Sequence, residues 1–204
     1  MLTELKNMLR VYQHRRMIFP MLDAFDLLAN REQTMWGSIT DQDEQRVIEL
    51  TRKASAFPGP IIEIGTLFGF TTQLIATYKA VDQKLVAVEC FVWNPFGLPA
   101  EDHRIFTRRI LRYVTKHCNT VILDSTSEDF FSTYHGEAPA MVFIDADHRY
   151  EPVRQEISWA RQLGTRIISG HDYCDAHPGV KRAVDEAFAE DVAVYGNIWS
   201  HETK

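Results

Sequence analysis

The side chains of this chain that could do chemistry stand where its apolar runs stop. Ile61-Ile62-Glu63-Ile64 breaks at Gly65 and passes through Thr66-Leu67-Phe68 to Gly69. Lys84 to Val88 ends in Glu89, and Asn119 to Leu123 ends in Asp124-Ser125-Thr126. Ala140 to Ile144 ends in Asp145-Ala146-Asp147-His148, and Arg166 to Ser169 runs into Gly170-His171-Asp172. One acid at the end of a strand is an ordinary solvated terminus. Polar ends on five successive strands, Gly65, Glu89, Asp124, Asp145 and His171, point to a site along one edge of a sheet. Glycines after the first strand let backbone approach a ligand, and the helix that follows offers free N–H groups. Glu89 lies about 20 residues beyond that turn, where dinucleotide-type folds place a carboxylate against ribose hydroxyls.

Elements that alternate in period must position these groups. Phe70, Leu74 and Tyr78 recur every four residues and predict a helix after the glycine turn. Thr40 predicts a helix N-cap, with Asp41 and Asp43 in the first turn, where the helix dipole favours acids. Val47, Leu50 and Ala54 continue that helix to the stop Phe57-Pro58-Gly59-Pro60. Glu101 to Thr115 reads as one basic helix, with Ile105, Ile110, Leu111 and Val114 on or near one side. A short helix follows Ser127. Val153, Ile157, Ala160 and Leu163 mark another, closed by Gly164, and Val180, Val184, Ala187 and Phe188 a last one. Val192 to Ser200 reads as a closing hairpin around Tyr195-Gly196-Asn197.

Strands and helices thus alternate five times before an antiparallel pair. The expected fold is α/β, a doubly wound, mostly parallel sheet with helices on both faces and a C-terminal antiparallel hairpin. Residues 1–55 are expected to form an N-terminal helical cap that shapes a substrate pocket or mediates self-association, and residues 56–204 the ligand-binding domain. Trp93 and Phe96, in the aromatic loop from Phe91 to Pro99, either wall a pocket or tuck onto the core.

Bulk properties narrow the functional classes. The chain has 204 residues, 45% hydrophobic and 25% charged, enough for a real core. Its formal charge of −6 argues against a nucleic-acid partner. Three widely spaced cysteines with no CxxC fit reduced thiols in a cytoplasm. Charges within the first residues exclude a signal peptide, and no apolar run is long enough to span a membrane.

The glycine turn EIGTLFGFTT, the acid Glu89, the segment DADHRYEPV and GHDY…HPGVKRAVDEAF together resemble class I S-adenosylmethionine-dependent methyltransferases. The resemblance is closest to the small-molecule O-methyltransferases near the macrocin and catechol enzymes and runs from Ile61 to about Trp199. It implies a seven-stranded Rossmann-like sheet and a set of residue roles. Glu63 and the turn from Gly65 through Thr66 and Gly69 to Thr71 would hold the methionine part of the cofactor. Glu89 would take the ribose, Asp124 and Ser125 would flank the adenine, and Asp145 would lie near the sulfonium. In metal-dependent relatives a divalent cation occupies the positions of Asp145, His171 and Asp172. His171 departs from the usual acid there, which favours manganese, iron or zinc over magnesium.

Methyl transfer from a sulfonium is an in-line displacement that needs donor and acceptor close and aligned. A hydroxyl acceptor also needs a base or a cation to lower its pKa. Asp147, His171 and His148 are the candidate bases, with Asp147 or His171 preferred and His148 third. A sugar or phenol hydroxyl is the expected acceptor. Two other readings stand beside this one. A nicotinamide-dependent oxidoreductase is disfavoured because only Gly65 and Gly69 follow the first strand, not three glycines. A non-catalytic binding protein on the same fold is compatible with the sequence.

Overall fold

The computed structural model describes residues 38–203, together with Tyr12, Gln13 and Arg16. Residues 1–37 of the expected N-terminal cap, apart from Tyr12, Gln13 and Arg16, lie outside the described residues, and its last part, Asp41–Ala54, is a helix whose apolar side enters the core. The described chain runs α1 (Asp41–Ala54), β1 (Ile61–Ile64), α2 (Phe70–Tyr78), β2 (Leu85–Glu89), α3 (Ala100–Ile110) and α4 (Arg112–His117). It continues β3 (Thr120–Asp124), α5 (Ser127–Thr133), β4 (Met141–Ile144), α6 (Tyr150–Gln162), β5 (Ile167–Gly170), α7 (Pro178–Phe188), β6 (Ala193–Tyr195) and β7 (Ile198–Glu202).

The seven strands form one sheet in the order β3-β2-β1-β4-β5-β7-β6. β1 to β5 are parallel, and β7 pairs antiparallel with both β5 and β6. This is the mostly parallel sheet with a closing antiparallel pair that the alternating periods predict. Strand order reverses between β1 and β4, and such a switch point opens a crevice beyond the carboxyl ends of the strands.

The two faces of the sheet sort by the two-residue strand period. Ile61, Leu85, Met141, Phe143 and Ile167 pack with α1, α2 and α4 in one core cluster. Ile62, Ile64, Val86, Val88, Val142, Ile144 and Ile168 pack with α6 and α7 in the other. Burying both faces is what makes these strands read as continuous apolar runs. α1 belongs to the first cluster through Val47, Ile48, Leu50 and Ala54. Its start is the N-cap expected at Thr40, which the structure completes as a capping box: Asp43 N donates to the Thr40 hydroxyl, and Thr40 N donates back to the Asp43 carboxylate.

The basic segment departs from expectation. It forms two helices broken at Leu111, which leaves helical geometry at φ −83°, ψ 7°. Ile105, expected on the inner side, is 57% exposed, while His103 and Thr107 are buried instead. The reason is polar. His103 Nε2 and Thr107 Oγ1 contact the Leu67 carbonyl oxygen at 3.0 and 2.8 Å, which turns a partly polar face of α3 toward the glycine loop. Apolar spacing cannot report a face chosen by hydrogen bonds.

Candidate functional site

Register brings the strand ends level. Gly65 N donates to the Val88 carbonyl, Asp145 N to that of Ile64 and His171 N to that of Ile144. Glu89 and Asp124 are paired across β2 and β3. The loops after β1, β2, β4 and β5 therefore leave the sheet side by side at its carboxyl edge. Gly65 is needed for this approach. Its φ is +91°, and a Cβ there would lie 2.0 Å from the Asp145 carbonyl oxygen.

Glu63 lies on the same face of β1 as Ile61 and is fully buried. The hydroxyls of Thr72 and Thr66 donate to its Oε2 at 2.5 and 3.4 Å, and its Oε1 is buried without a hydrogen-bond partner. Burial, against the Thr72 bond and together with the charges of Asp145 and Glu89, pushes its carboxyl up to about 8. Glu89 holds the glycine loop. Its Oε2 accepts from Thr66 N at 2.9 Å and Leu67 N at 2.8 Å, and its Oε1 from Phe91 N at 2.8 Å. Gly69 caps α2, and the Thr71 hydroxyl meets that of Ser38 at 3.3 Å.

Asp124 and Ser125 are turned to local partners. Arg104 Nε donates to Asp124 at 2.6 Å, and the Ser125 hydroxyl donates to the Thr126 carbonyl. In the aromatic loop, Trp93 is 64% exposed, while Phe96 stacks on Phe68.

On the other side of the switch point, His171 is enclosed by carboxylates. Its Nδ1 lies 3.6 Å from Asp145 Oδ1 and 3.3 Å from Asp172 Oδ1, and its Nε2 lies 3.4 Å from Asp43 Oδ2. Burial alone would lower its pKa, but hydrogen bonds to Asp145 and Asp172 and their charges outweigh it and hold it up at about 11. Asp172 adopts φ +60° and accepts from His148 Nε2 at 2.7 Å. Burial would raise the Asp172 carboxyl, but the bonds from His148 and His171 hold it far below the usual range. His148 is raised, first by its bond to Asp172. Asp147 lines the small cavity beside this group, and its carboxylate is paired locally. Arg149 binds it through the backbone N–H and the guanidinium at 2.6–3.0 Å and lowers its pKa.

The structure thus gathers Glu63, Thr66 and Glu89 on one side and Asp145, His171, Asp172 and His148 on the other. Asp124 and Asp147 are committed to arginines. Three further residues join the edge. Asp43 is buried and accepts from Asn197 N at 2.8 Å while facing His171. His177 stands at the N-cap position of α7, and its ring lies tilted against that of His148 with ring centres 4.2 Å apart. Glu156, on α6, is buried, and burial first, with the charges of Asp147 and Asp145, pushes it up to about 8. Asp43 is visible in the sequence only as a capping residue, and His177 and Glu156 carry no signal of their own. A small cavity lined by Ile144, Asp145, His148, His171 and Trp199 opens here. A larger one of about 470 Å³ lies at the opposite edge, among Phe57, Gly59, Gln83 and Tyr134, away from the histidine and carboxylate cluster.

A doubly wound sheet with acids converging beyond its switch point defines a Rossmann-like protein, a fold whose ligands as a rule bind beyond the carboxyl ends of the strands. A protein-family model described as a methyltransferase domain matches residues 62–173, and the chain belongs to that family. Solved structures share the fold. Cofactor-bound Rv0187 from MTB aligns with a TM-score of 0.65 at 19% identity, covering 87% of this chain and 88% of the other. The O-methyltransferase from Bacillus cereus in complex with SAH aligns at 0.63 and 17%, covering 88% of each chain. CalS11, a TDP-rhamnose 3'-O-methyltransferase of calicheamicin biosynthesis, aligns at 0.60 and 15%, covering 78% of each. No curated protein matches the chain. Among the described residues no helix is long and apolar enough to cross a membrane.

Proposed function

We propose that the protein transfers a methyl group from S-adenosylmethionine to a hydroxyl of a small molecule, a sugar or phenol, with a divalent cation assisting. The observation that carries this reading is the pair of neighbouring clusters at one sheet edge, an acid-lined glycine turn beside a histidine–carboxylate group. The named activities of the Bacillus cereus enzyme and of CalS11 support the O-methyl and sugar parts. Three free cysteines support a reducing compartment such as the cytoplasm.

The residues fit a cationic cofactor. Glu63, Glu89 and Asp145 repel one another, and Glu63 Oε1 is buried without a partner. A sulfonium and an ammonium near them would relieve both strains. Glu89, at the end of β2, would take a ribose hydroxyl. S-adenosylmethionine, when bound, supplies an electrophilic methyl group. The protein's part is to hold that group in line with the acceptor and to exclude water.

The Asp145, His171 and Asp172 set fits a divalent cation of intermediate softness. Their ligand atoms lie within 4.8 Å of one another, with His171 Nδ1 facing both acids. Asp43 behind Nε2 would fix the ring in the manner of a carboxylate–histidine–metal arrangement. A cation there would lower the pKa of the acceptor hydroxyl.

For the base the reading favours His148, ranked third on the sequence, over Asp147 and His171. Asp147 is held by Arg149, and His171 keeps its proton among acids unless a cation displaces it. His148 donates from Nε2 to Asp172, which leaves Nδ1 to take the acceptor's proton. Calorimetry with S-adenosylmethionine, S-adenosylhomocysteine and NADH, with and without Mn(II), tests the reading. Binding of the two methionine compounds is expected. Binding of NADH alone would overturn it, and methyl transfer undiminished by a chelator would remove the cation.

A further inference from the structure

We propose that His148, Asp172 and His177 form a second cation site, sharing Asp172 with the Asp145 and His171 group, that switches off proton transfer when it is filled. His148 Nε2 lies 2.7 Å from Asp172 Oδ2, and His177 Nε2 lies 3.6 Å from Asp172 Oδ1. The three ligand atoms all fall within 4.8 Å of one another. Zinc–nitrogen bonds of about 2.0–2.1 Å at tetrahedral angles put neighbouring ligand atoms roughly 3.3 Å apart. The His177 contact of 3.6 Å is close to that spacing, and the His148 contact of 2.7 Å opens to it by about 0.6 Å. The side chains of His148, His177 and Asp172 are 38%, 31% and 15% exposed, so an ion reaches them from solvent.

Separate features of the backbone create this meeting. Asp172 takes the left-handed conformation, uncommon for a residue with a side chain, and its carboxylate stands between the histidines. Pro178 and Gly179 start α7 directly after His177. A Cβ on Gly179 would lie 2.5 Å from the His148 carbonyl oxygen and 2.7 Å from Tyr150 N. Only glycine lets the first turn of α7 press against the His148 loop and bring the two rings into contact.

Two imidazoles and one carboxylate select zinc, cobalt, nickel, copper or iron over magnesium or calcium. Asp172 serves both groups. Its Oδ1 faces His171 and His177, and its Oδ2 faces His148. The consequence for activity rests on His148 acting as the base in the proposed function. With a proton on Nε2 bonded to Asp172, Nδ1 is a free acceptor. With a cation on Nε2, the single ring proton moves to Nδ1, and that acceptor is lost. The exchange is a tautomer change with no net gain or loss of protons and no redox step.

The test compares the full wild-type chain with His177→Ala and His177→Gln by equilibrium titration with Co(II), read by absorption, and by Zn(II) competition. The wild type is expected to bind one more cation than either variant, while all three bind S-adenosylhomocysteine alike. Zn(II) is expected to inhibit methyl transfer by the wild type at a concentration at least tenfold below that needed for the variants. Equal cation counts in wild type and variants overturn the site, and equal sensitivity to Zn(II) overturns the switch. The cation count needs no turnover. Failure of S-adenosylhomocysteine to bind any of the three proteins therefore counts against the proposed function and leaves the site to be decided by Co(II).

Discussion

Replacing Glu63 by glutamine isolates the electrostatic strain at the carboxyl edge. Glutamine keeps an oxygen for the Thr72 and Thr66 hydroxyls but carries no charge. In the wild type, burial, then the charges of Asp145 and Glu89, raise the carboxyl from 4.5 to about 8, with the Thr72 bond opposing. A carboxyl raised that far prefers its proton in the folded chain by roughly 5 kcal/mol. The folded state binds this proton more tightly than the unfolded state does. The resulting stability is therefore complete below pH 4.5 and is lost as pH rises through about 8. Inside that window the wild type should lose about 1.4 kcal/mol per pH unit relative to the variant. Urea unfolding of both proteins at about pH 5.5 and about pH 7.5 is the assay, and the stability of the wild type should fall relative to that of the variant by roughly 3 kcal/mol. Other titrating groups cancel in the comparison. Parallel stability curves would refute the reasoning, because they would mean that Glu63 is already charged at the lower pH.

Two further perturbations probe the glycine loop. Glu89→Ala leaves the N–H groups of Thr66, Leu67 and Phe91 without their acceptor and should cost about 2–4 kcal/mol in urea unfolding. It should also weaken S-adenosylmethionine binding by ~1–3 kcal/mol in calorimetry, and unchanged affinity would remove Glu89 from the ribose position. Gly65→Ala forces a side chain at φ +91° into the Asp145 carbonyl and should lower stability by about 3 kcal/mol or more. A melting temperature equal to that of the wild type would show that the loops after β1 and β4 are not in contact.

The sequence by itself determined the alternation of strands and helices, the level of each strand end, and the N-cap at Thr40. These follow from short-range rules, because side-chain period, turn residues and caps act over one or two turns of chain. It also marked the edge on which the chemistry stands, since all five parallel strands end in polar groups there. Tertiary structure alone decided which of those groups meet. Asp124 and Asp147 read as site acids in the sequence, and only the fold pairs them with Arg104 and Arg149. Asp43 looks like a helix cap, yet the packing of α1 on the sheet brings it to His171. His177 and Glu156 have no local signature, and the buried face of α3 follows the Leu67 carbonyl and not apolar spacing. The physical reason is range. Propensity and periodicity fix a residue's position within its own element, whereas the field at His148, His171 or Glu63 sums over loops that only strand order brings together.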